Sequence, residues 1–501
     1  MKVSVKFNDY SNAIIECERD IFMELREYYS FETEGGARFN PKFKYSGWDG
    51  RIRLLQPDGK FPYGLVNNLE KYCARNEYEF EKEEDFTPIN HFTSREEFDK
   101  WLADIDIYSG GNKITAHWYQ ADAVYYAIQN NRGILNLPTS AGKSLIAALI
   151  CYWYMTNYDG KILLIVPTTS LVTQMMDDFS DYQFMRREFS HGIMAGKTKD
   201  HPAPVFVSTW QSASKQPVHW FRQFGALLID ECHNVGSEIK NIITNLSECP
   251  FKWGMSGSLK DGKCNIMSYV GLFGDVFKPV STKQLMEEGQ VTDLKINNLF
   301  LRYPKQDCVL TKGIEYQQEI KYIEEHTKRN AFVCRLALKL AKEKKENTLI
   351  LFRHKEHGKK LYEALSKKHD NVFFANGDTN VEERDQLKKI AEGSDGMIIV
   401  ASIGIFSTGI SIKKLFHVIF ASPFKSKVTT LQSIGRVLRK HGEKTIATLW
   451  DIVDNLCIET KNSKPGSVKY AHKNYAYKHA MLRIERYASE QFDYQIKEIE
   501  L

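Results

Sequence analysis

From about residue 111 onward, short apolar runs alternate with amphipathic segments, and this alternation constrains the fold more than any other feature of the chain. The first series of apolar runs is GILNLP, KILLIVP, PVFVST, ALLID and KWGMSGS. The second series is TLILFR, VFFANG, GMIIVAS, HVIFAS and TIATLWDIVD. Apolar strands separated by helices form parallel sheets that are covered on both faces. The sequence therefore predicts an α/β fold with two parallel-sheet lobes of roughly 150–180 residues each.

The remaining residues flank these two lobes. At 501 residues the chain is too long for a single hydrophobic core. Residues 1–108 are predicted to form a small mixed α/β domain, with a helix near SREEFDKWLADI. The lobes are predicted to span residues 109–290 and 291–456, and residues 457–501 to form a short, basic, helical C-terminal segment.

Composition excludes several classes of protein. The chain is 43% hydrophobic and 26% charged, and no apolar run is long enough to cross a bilayer, so no membrane partner is expected. Charges interrupt the apolar residues of the N-terminus, which does not resemble a secretory signal. The nine cysteines include no C-x-x-C pair, which argues against a zinc or iron–sulfur module and for reduced thiols in a cytoplasm. A net charge of +5 is too small by itself to indicate a nucleic-acid partner.

The segment LNLPTSAGKSLIAALI, residues 135–150, has the pattern of a strand, a loop of small residues and a helix. In such a loop, backbone N–H groups hold phosphates, Lys143 reaches the β and γ oxygens of ATP, and the Ser144 hydroxyl binds Mg²⁺. The first glycine of the usual pattern is missing, because Leu137 stands there. The alternative is a turn that only packs a helix on a sheet. The residues predicted to bind the nucleotide here are Ser140, Ala141, Gly142, Lys143 and Ser144.

The segment LLIDECHNVGS, residues 227–237, places two carboxylates at the end of a strand. Beside a bound Mg²⁺, Asp230 serves as the metal partner and Glu231 as the base that activates water. A solvated acidic turn is the alternative, and the presence of Lys143 and Ser144 upstream makes it the weaker one. The sequence therefore predicts an ATP- and Mg²⁺-dependent hydrolytic site.

With these motifs in place, the chain resembles the DExH group of superfamily 2 helicases. DECH is similar to motif II, and the other motifs follow in the expected order: HWYQADAV, VPTTSL, VSTWQS, MSGSL, LILFRHKEHGKKL, ASIGIFSTGISI and LQSIGRVLRKHG. The resemblance covers residues 111 to about 455. The phrases LNLPTSAGKSL, IGRVLRKHG and WDGRIRLL extend the likeness to bacteriophage recombination helicases over nearly the whole chain. Ser256-Gly257-Ser258 and Ser411 depart from the DEAD-box pattern, which weakens an assignment to RNA remodelling.

The resemblance implies two RecA-like lobes and assigns further residues to roles. Gln120 corresponds to the glutamine that reads adenine, and Gly409 lies in the motif V segment of the nucleotide site. Thr168 and Thr209 correspond to contacts with the nucleic-acid backbone. His233, Ser256 and Ser258 correspond to residues that couple hydrolysis to movement. The motif VI residues are Gln432, Arg436 and Arg439.

Arg436 and Arg439 stand at i, i+3 spacing, which places them on one helical face. Guanidinium groups supplied by the second lobe can stabilise charge on the transferred phosphoryl group and make hydrolysis depend on lobe closure. The alternative is a basic helix end that faces solvent.

Basic and aromatic residues also alternate outside the two lobes. FNPKFKYSGWDGRIRLL, residues 39–55, contributes the predicted DNA contacts Lys42, Lys44, Trp48, Arg51 and Arg53. The alternative is that Trp48 belongs to the core and the basic residues form a solvated edge. RIRLLQPDGKF is predicted to form a hairpin. In the C-terminal segment, Tyr477, Met481 and Ile484 recur at helical spacing and are predicted to dock onto the second lobe.

The resemblance implies an ATP-dependent DNA helicase that unwinds and branch-migrates forks, junctions and R-loops, including RNA–DNA hybrids, with ATP and Mg²⁺ as cofactors. Two alternatives stay open: a duplex DNA translocase that moves without separating strands, and an ATP-gated nucleic-acid-binding scaffold. The sequence names no protein partner.

Overall fold

The computed structural model describes residues 1–32, 48–83, 86, 91–193, 200–234, 236–257, 259, 263–404, 412–424, 434–435, 438, 442, 444–460 and 470–501. The chain forms two compact units. The first comprises Met1–Leu137 and Ala141–Val280, and the second comprises Pro138–Ser140 and Ser281–Leu501. Each unit contains a seven-stranded sheet in which every pair of neighbours is parallel, so the predicted α/β fold with two lobes is confirmed.

The first unit begins with a small mixed α/β domain. Its elements are β1 (Lys2–Phe7), β2 (Asn12–Cys17), α1 (Arg19–Tyr28), β3 (Ser30–Glu32), β4 (Arg51–Arg53), β5 (Lys60–Pro62), a 3₁₀ turn (Tyr63–Leu65), α2 (Val66–Arg75), β6 (Glu79–Lys82), α3 (Arg95–Ala103), β7 (Ile107–Ser109) and β8 (Asn112–Ile114). Strands β5, β2, β1 and β6 form one sheet in this order. Val5 pairs with Ile15 across β1 and β2, and the period of two along each strand places both side chains in the core. The helix predicted near residues 94–105 is α3.

The hairpin predicted for RIRLLQPDGKF is wrong in its pairing. The turn forms, because the Gln56 N–H donates to the Lys60 carbonyl at 2.8 Å. However, β4 pairs with β3, and β5 pairs with β2. The turn therefore separates two sheets of the domain instead of joining two paired strands.

The first lobe follows directly. Its elements are α4 (Trp118–Asn130), β9 (Arg132–Asn136), α5 (Lys143–Asn157), β10 (Lys161–Val166), α6 (Thr169–Asp181), a 3₁₀ turn (Arg187–Phe189), β11 (Ser190–Ile193), β12 (Val205–Thr209), α7 (Trp210–Ala213), α8 (Val218–Phe221), β13 (Phe224–Ile229), a 3₁₀ turn (Cys232–Asn234), α9 (Ser237–Asn245), β14 (Phe251–Ser256), α10 (Lys263–Phe273) and β15 (Val276–Phe277). The sheet order is β11-β12-β10-β13-β14-β9-β15. The five apolar runs of the first series are β9, β10, β12, β13 and β14. Their carboxyl ends meet at one edge of the sheet, where ligands of open α/β folds bind.

The second lobe has the same type of sheet. Its elements are α11 (Thr282–Glu287), β16 (Asp293–Arg302), α12 (Lys305–Leu310), α13 (Tyr316–Glu325), α14 (Thr327–Glu343), β17 (Thr348–Phe352), α15 (Lys355–Ser366), β18 (Val372–Ala375), α16 (Val381–Gly393), β19 (Ile398–Ser402), β20 (His417–Phe420), β21 (Ile446–Asn455), β22 (Ile458–Glu459), β23 (Tyr470–His472), α17 (Tyr475–Ser489) and β24 (Asp493–Glu500). The sheet order is β18-β19-β17-β20-β21-β16-β24. The five apolar runs of the second series are β17 to β21.

The C-terminal segment contains the predicted helix, α17, but it is not helical to its end. Its last strand, β24, pairs with β16 from Lys295↔Asp493 to Arg302↔Glu500. Residues from 470 onward therefore complete the second sheet, and a boundary at 457 does not separate an independent unit. The predicted docking face of the helix is confirmed, because Tyr477, Met481 and Ile484 pack against the buried cluster Phe300, Val453 and Ala480.

Two buried carboxylates hold α17 in place. Glu319 accepts hydrogen bonds from the backbone N–H groups of Tyr475 and Ala476, at 2.9 and 2.7 Å, at the start of the helix. Asp451 accepts two hydrogen bonds from the guanidinium of Arg483, at 2.8 and 2.7 Å. Because both carboxylates are buried and partnered, the helix is an integral layer of the lobe.

The N-terminal domain shares a hydrophobic core with the first lobe. A Cβ on Gly64 would lie 2.0 Å from the Val270 carbonyl, so the 3₁₀ turn of the domain touches the backbone of α10. The buried Lys252 ammonium donates to the Tyr10 carbonyl at 2.9 Å and to the Ser11 hydroxyl at 2.8 Å. The domain is therefore fixed to the lobe by apolar packing and by buried hydrogen bonds.

Within the described part of the chain, no helix is long and apolar enough to cross a membrane.

Candidate active site

The predicted phosphate loop lies between β9 and α5, at the carboxyl edge of the first sheet. Ser140 and Gly142 have left-handed backbones, with φ of 73° and 76°. Helix α5 begins at Lys143 without a side-chain cap, which leaves its first N–H groups directed at the loop. A Cβ on Gly142 would lie 2.2 Å from Nε2 of Gln120, so glycine is required there for space as well as for φ.

Gln120 connects helix α4 to this loop. Its buried amide accepts from the His117 N–H at 2.9 Å and donates to the Ala141 carbonyl at 3.0 Å. An amide has two donors and two lone pairs, so one of each is left for a ligand such as adenine. The structure thus places Gln120 beside the loop, where it orders the loop's backbone.

The two predicted carboxylates follow β13, which lies two strands from β9 in the sheet. Glu231 has a φ of 51°, a left-handed conformation that costs a side chain about 1–2 kcal/mol. The Glu231 N–H donates to Oδ1 of Asp230 at 3.0 Å, which fixes the turn. This strained turn directs Glu231 toward the phosphate loop.

Lys143 and Glu231 form an ion pair across the site. Nζ of Lys143 lies 2.9 Å from Oε1 of Glu231, and the two side chains are 15% and 19% exposed. Burial opposes the charged form of Lys143, but the carboxylates of Glu231 and Asp230 outweigh it and raise the pKa of the ammonium. Burial likewise opposes ionisation of Glu231, but the Lys143 charge and His233 hold the pKa of Glu231 well below its usual range. Burial, reinforced by the charge of Glu231, raises the pKa of Asp230.

The donor set fits a hard divalent cation. Asp230 supplies a carboxylate and Ser144 a hydroxyl, the oxygen ligands that Mg²⁺ prefers. The buried Oε2 of Glu231 accepts no hydrogen bond of good geometry from the described residues. Among those residues, no group of three or more His, Cys, Asp or Glu side chains is arranged to hold a metal by itself.

His233 and Ser256 connect motif II to the neighbouring strand. Nδ1 of His233 is hydrogen-bonded to Oγ of Ser256 at 2.9 Å and lies 3.2 Å from Oε2 of Glu231. The Ser256 carbonyl accepts from the Leu137 N–H at 2.9 Å, immediately before the phosphate loop. A continuous path of contacts therefore runs from Glu231 through His233 and Ser256 to the loop.

Two tyrosines beside the site were missed by sequence reasoning. The Tyr269 hydroxyl donates to the His233 carbonyl at 2.8 Å, and Tyr182 lies within hydrogen-bonding reach of Ser144. Neither residue belongs to a motif, and no local signal in the sequence identifies them.

Thr168 and Thr209 lie together at the carboxyl edge of the first sheet. Thr209 is the last residue of β12, and Thr168 comes two residues after Val166, the last residue of the adjacent strand β10. Val166 and Thr209 pair across the two strands. Each hydroxyl caps a helix: Thr168 accepts from the Leu171 N–H at 3.4 Å, and Thr209 from the Ser212 N–H at 3.3 Å. Thr209 is buried, so the structure gives its side chain a capping role first.

The N-terminal arginines predicted to contact DNA are paired with carboxylates. Arg53 forms two hydrogen bonds to Asp49, at 3.1 and 2.6 Å, and this pairing lowers the pKa of Asp49 to about 2. Arg51 lies 3.1 Å from Glu27 and donates to Oγ of Ser30. The indole N–H of Trp48 donates to the Arg51 carbonyl at 2.8 Å, with the ring partly exposed. Trp48, Arg51 and Arg53 therefore belong to one local network around β4.

Seven of the predicted site residues lie outside the described part of the chain: Lys42, Lys44, Ser258, Gly409, Gln432, Arg436 and Arg439.

Three families match consecutive parts of the chain. The family described as DNA helicase UvsW, N-terminal, matches residues 2–82. The family described as type III restriction enzyme, res subunit, matches residues 112–261. The helicase conserved C-terminal domain matches residues 328–441. The matched ranges begin with the N-terminal domain and continue through both lobes.

Individual proteins are similar over longer stretches. The ATP-dependent DNA helicase uvsW of Enterobacteria phage T4 is 50% identical over 513 aligned residues, and the alignment covers 100% of both chains. A crystal structure of T4 UvsW covers 100% of both chains at 48% identity, with a TM-score of 0.54. A DNA 3′–5′ translocase of Sulfurisphaera tokodaii is 25% identical over 379 residues, which cover 67% of this chain and 81% of the relative.

Proposed function

Because the chain belongs to the UvsW family of superfamily 2 DNA helicases, we propose that it uses ATP hydrolysis to unwind and branch-migrate forked, junction and R-loop DNA. The R-loop substrates include RNA–DNA hybrids, and the setting is recombination, repair and replication in the cytoplasm of an infected bacterium. The observation that carries the proposal is a chain of contacts from Lys143 to Glu231, from Glu231 to His233, and from His233 to Ser256. In this chain, a lysine placed to bind phosphates forms an ion pair with a carboxylate suited to water activation.

Different residues of the first lobe are assigned to phosphate binding, metal binding and proton transfer in ATP hydrolysis. The N–H groups at the start of α5 and the Lys143 ammonium bind the β and γ phosphates of ATP. Ser144 and Asp230 would hold Mg²⁺, which would neutralise charge on the phosphates. Glu231 accepts a proton from the attacking water.

The Lys143–Glu231 ion pair makes the base strength of Glu231 depend on ATP binding. In the structure, Lys143 lies against Glu231 and keeps the pKa of that carboxylate low, which makes Glu231 a poor base. Phosphates of ATP compete for the same ammonium. When Lys143 turns toward them, Glu231 loses its cation, its pKa rises, and it becomes a better base only while ATP is bound.

The proposed mechanism of hydrolysis also includes residues that lie outside the described part of the chain. We propose that Arg436 and Arg439 stabilise charge on the transferred phosphoryl group, that Gln432 orients it, and that Gly409 belongs to the same site. Ser258 extends the coupling path of His233 and Ser256. Closure of the second lobe over ATP then converts each hydrolytic cycle into a step along DNA.

Contacts with DNA are proposed in both the first lobe and the N-terminal domain. Thr168 and Thr209 lie at the edge of the sheet that also carries the nucleotide site. In the N-terminal domain, which we retain as a DNA-binding domain over residues 1–108, Lys42, Lys44, Trp48, Arg51 and Arg53 supply charge and stacking. The basic residues 457–501 add charge to the second lobe.

Two assays decide between this proposal and its alternatives. Steady-state ATPase is measured with single-strand, duplex, fork, four-way junction and R-loop ligands, and we expect the branched ligands to stimulate most. Strand displacement is then compared with triplex displacement. Triplex displacement without strand separation would identify a duplex translocase, and turnover that DNA does not stimulate would identify an ATP-gated scaffold.

A further inference from the structure

A groove lies in the second lobe between α14 and the end of β24, with a volume of about 700 Å³. One wall carries three cations on α14: Lys328, Arg335 and Lys339. Its floor is apolar and consists of Phe332, Leu336, Ile499 and Leu501. We refer to this feature as the α14–β24 groove.

The three cations form a row along one face of the helix. Residues 328, 335 and 339 are separated by seven and four positions, which places them about 10 and 6 Å apart along the helix axis. All three side chains are exposed. Within the described ranges, none of the three forms an ion pair, so their charge is directed at solvent and at the groove.

The floor of the groove is incompletely covered. Phe332, Leu336, Ile499 and Leu501 are only partly buried, although they pack against the core of the lobe. On one side, β24 pairs with β16, and no strand of the described residues pairs with its other edge. The backbone groups of that edge can therefore accept a further strand.

We propose that the α14–β24 groove binds an extended acidic peptide of a partner protein, a segment that carries one or two large apolar side chains between its acids. Charge complementarity points to an acidic segment, because three cationic side chains line the groove and Glu500 is the one acidic side chain in its lining. The Glu500 carboxylate lies 3.7 Å from Arg302. The floor accommodates the apolar side chains. The row of cations is about 16 Å long, which an extended strand covers in about five residues.

A peptide fits this groove better than a nucleic-acid backbone does. Phosphates would satisfy the cations but would leave Phe332, Leu336 and Ile499 in water. A peptide that alternates acids with apolar side chains satisfies the cations, the floor and the free strand edge together. The groove shares no residue with those proposed for ATP hydrolysis.

The test uses the full-length protein and a fluorescein-labelled nine-residue peptide of aspartates with one leucine and one phenylalanine at its centre. Binding is followed by fluorescence anisotropy at low and moderate salt. We expect saturable binding that Arg335→Glu combined with Lys339→Glu weakens at least tenfold. The matched control, Lys388→Glu combined with Lys389→Glu, reverses two exposed charges on α16 and should leave affinity within twofold. DNA-stimulated ATPase of each variant verifies that the lobe is folded.

Two further measurements separate a peptide site from a general anion surface. A peptide in which serine replaces the leucine and phenylalanine should bind at least fivefold more weakly, because it loses the apolar floor. A short oligo-dT should compete poorly with the original peptide. The proposal is overturned if the serine peptide binds equally well, if oligo-dT displaces the peptide at equal concentration, or if the α16 control loses as much affinity as the α14 variant.

Discussion

Nζ of Lys143 lies 2.9 Å from Oε1 of Glu231, so the lysine predicted to hold phosphates and the carboxylate predicted to activate water are each other's ion-pair partner. The two residues are 88 positions apart in the chain. Neither charge is free, and each sets the pKa of the other. Competition between ATP phosphates and Glu231 for one ammonium would make base strength depend on nucleotide binding, and several predictions test this relationship.

Glu231→Gln should retain ATP binding and lose turnover by several orders of magnitude. The amide cannot accept a proton from water, while Asp230 remains available for Mg²⁺. Affinity for ATP should be equal or higher, because Gln does not compete for Lys143 as strongly as a carboxylate does. Titration with a fluorescent ATP analogue and single-turnover hydrolysis measure the two effects. Glu248→Gln, at an exposed site of the same unit, is the control, and near wild-type turnover in Glu231→Gln would refute the base assignment.

Lys143→Ala should abolish ATP hydrolysis and weaken ATP binding, because the loop loses its point charge on the β and γ phosphates. It should also raise the pKa of Glu231, since the cation that opposes burial is gone. Steady-state ATPase with saturating DNA measures the first effect. Lys240→Ala removes an exposed lysine of α9 and should hydrolyse ATP normally; equal losses in both variants would indicate a general effect of charge.

Arg439→Ala should lower kcat roughly 10³-fold and leave ATP affinity nearly unchanged, as for other arginines that act on the transferred phosphoryl group. The first lobe still binds the nucleotide in this variant. Separate determination of kcat and of the dissociation constant for a nonhydrolysable analogue distinguishes the two roles. A parallel loss of affinity with unchanged kcat would make Arg439 a residue that binds the ground state.

Lys252→Met should flatten the pH dependence of stability above neutral pH. Burial, together with the nearby Arg132 guanidinium, lowers the pKa of Lys252 from its ordinary value of 10.5 to about 7. Between these two values the unfolded chain binds more protons than the folded chain, so the free energy of unfolding rises with pH from about 7 to about 10.5. One such proton contributes a slope of at most about 1.4 kcal/mol per pH unit.

Urea midpoints at pH 7, 8 and 9 provide the measurement for Lys252→Met. Wild type should gain stability relative to the variant across this series. Lys295→Met, at an exposed position of β16, is the control and should follow the wild-type slope. Parallel slopes for wild type and Lys252→Met would show that the buried amine does not titrate in this window.

Asp49→Asn should raise the affinity of the N-terminal domain for DNA if Arg53 contacts a phosphate. The variant releases Arg53 from its two hydrogen bonds to Asp49 and removes a negative charge beside it. The salt dependence of binding should steepen by about one unit of slope per new phosphate contact. Arg51→Ala combined with Arg53→Ala should change both quantities in the opposite direction, with the unfolding midpoint as a check on folding. Unchanged affinity and slope in both variants would assign this network a structural role alone.

These substitutions are preferable to deletion of the N-terminal domain. The alternation of strands and helices makes the first lobe resemble a complete unit without residues 1–108. In the structure, however, the domain and the lobe share a hydrophobic core, and Lys252 donates to Tyr10 and Ser11. A deletion would expose the apolar surface of the shared core and remove the acceptors of Lys252. A loss of DNA binding in the deletion variant could therefore not be attributed to lost DNA contacts.

Ten of the fourteen strands in the two large sheets, and the positions of the nucleotide-site motifs, could be predicted from the sequence alone. This information is local: an apolar run of five or six residues fixes a buried strand, and a loop of small residues before a helix fixes a phosphate site. Helix α17 was predictable for the same reason, since Tyr477, Met481 and Ile484 repeat at helical spacing.

Which distant segments meet is a property of the folded chain that no local pattern carries. The pairing of β24 with β16 joins residues nearly two hundred positions apart, and β24 has an exposed, polar pattern that marks no strand of a parallel sheet. The carboxylate partners of Arg51 and Arg53, the contact of Tyr269 with His233 and the ion pair of Lys143 with Glu231 likewise depend on how packed elements are placed. A residue type and its spacing define what a side chain can do, whereas its partners, its burial and therefore its pKa are set by segments that the chain brings together only when it folds.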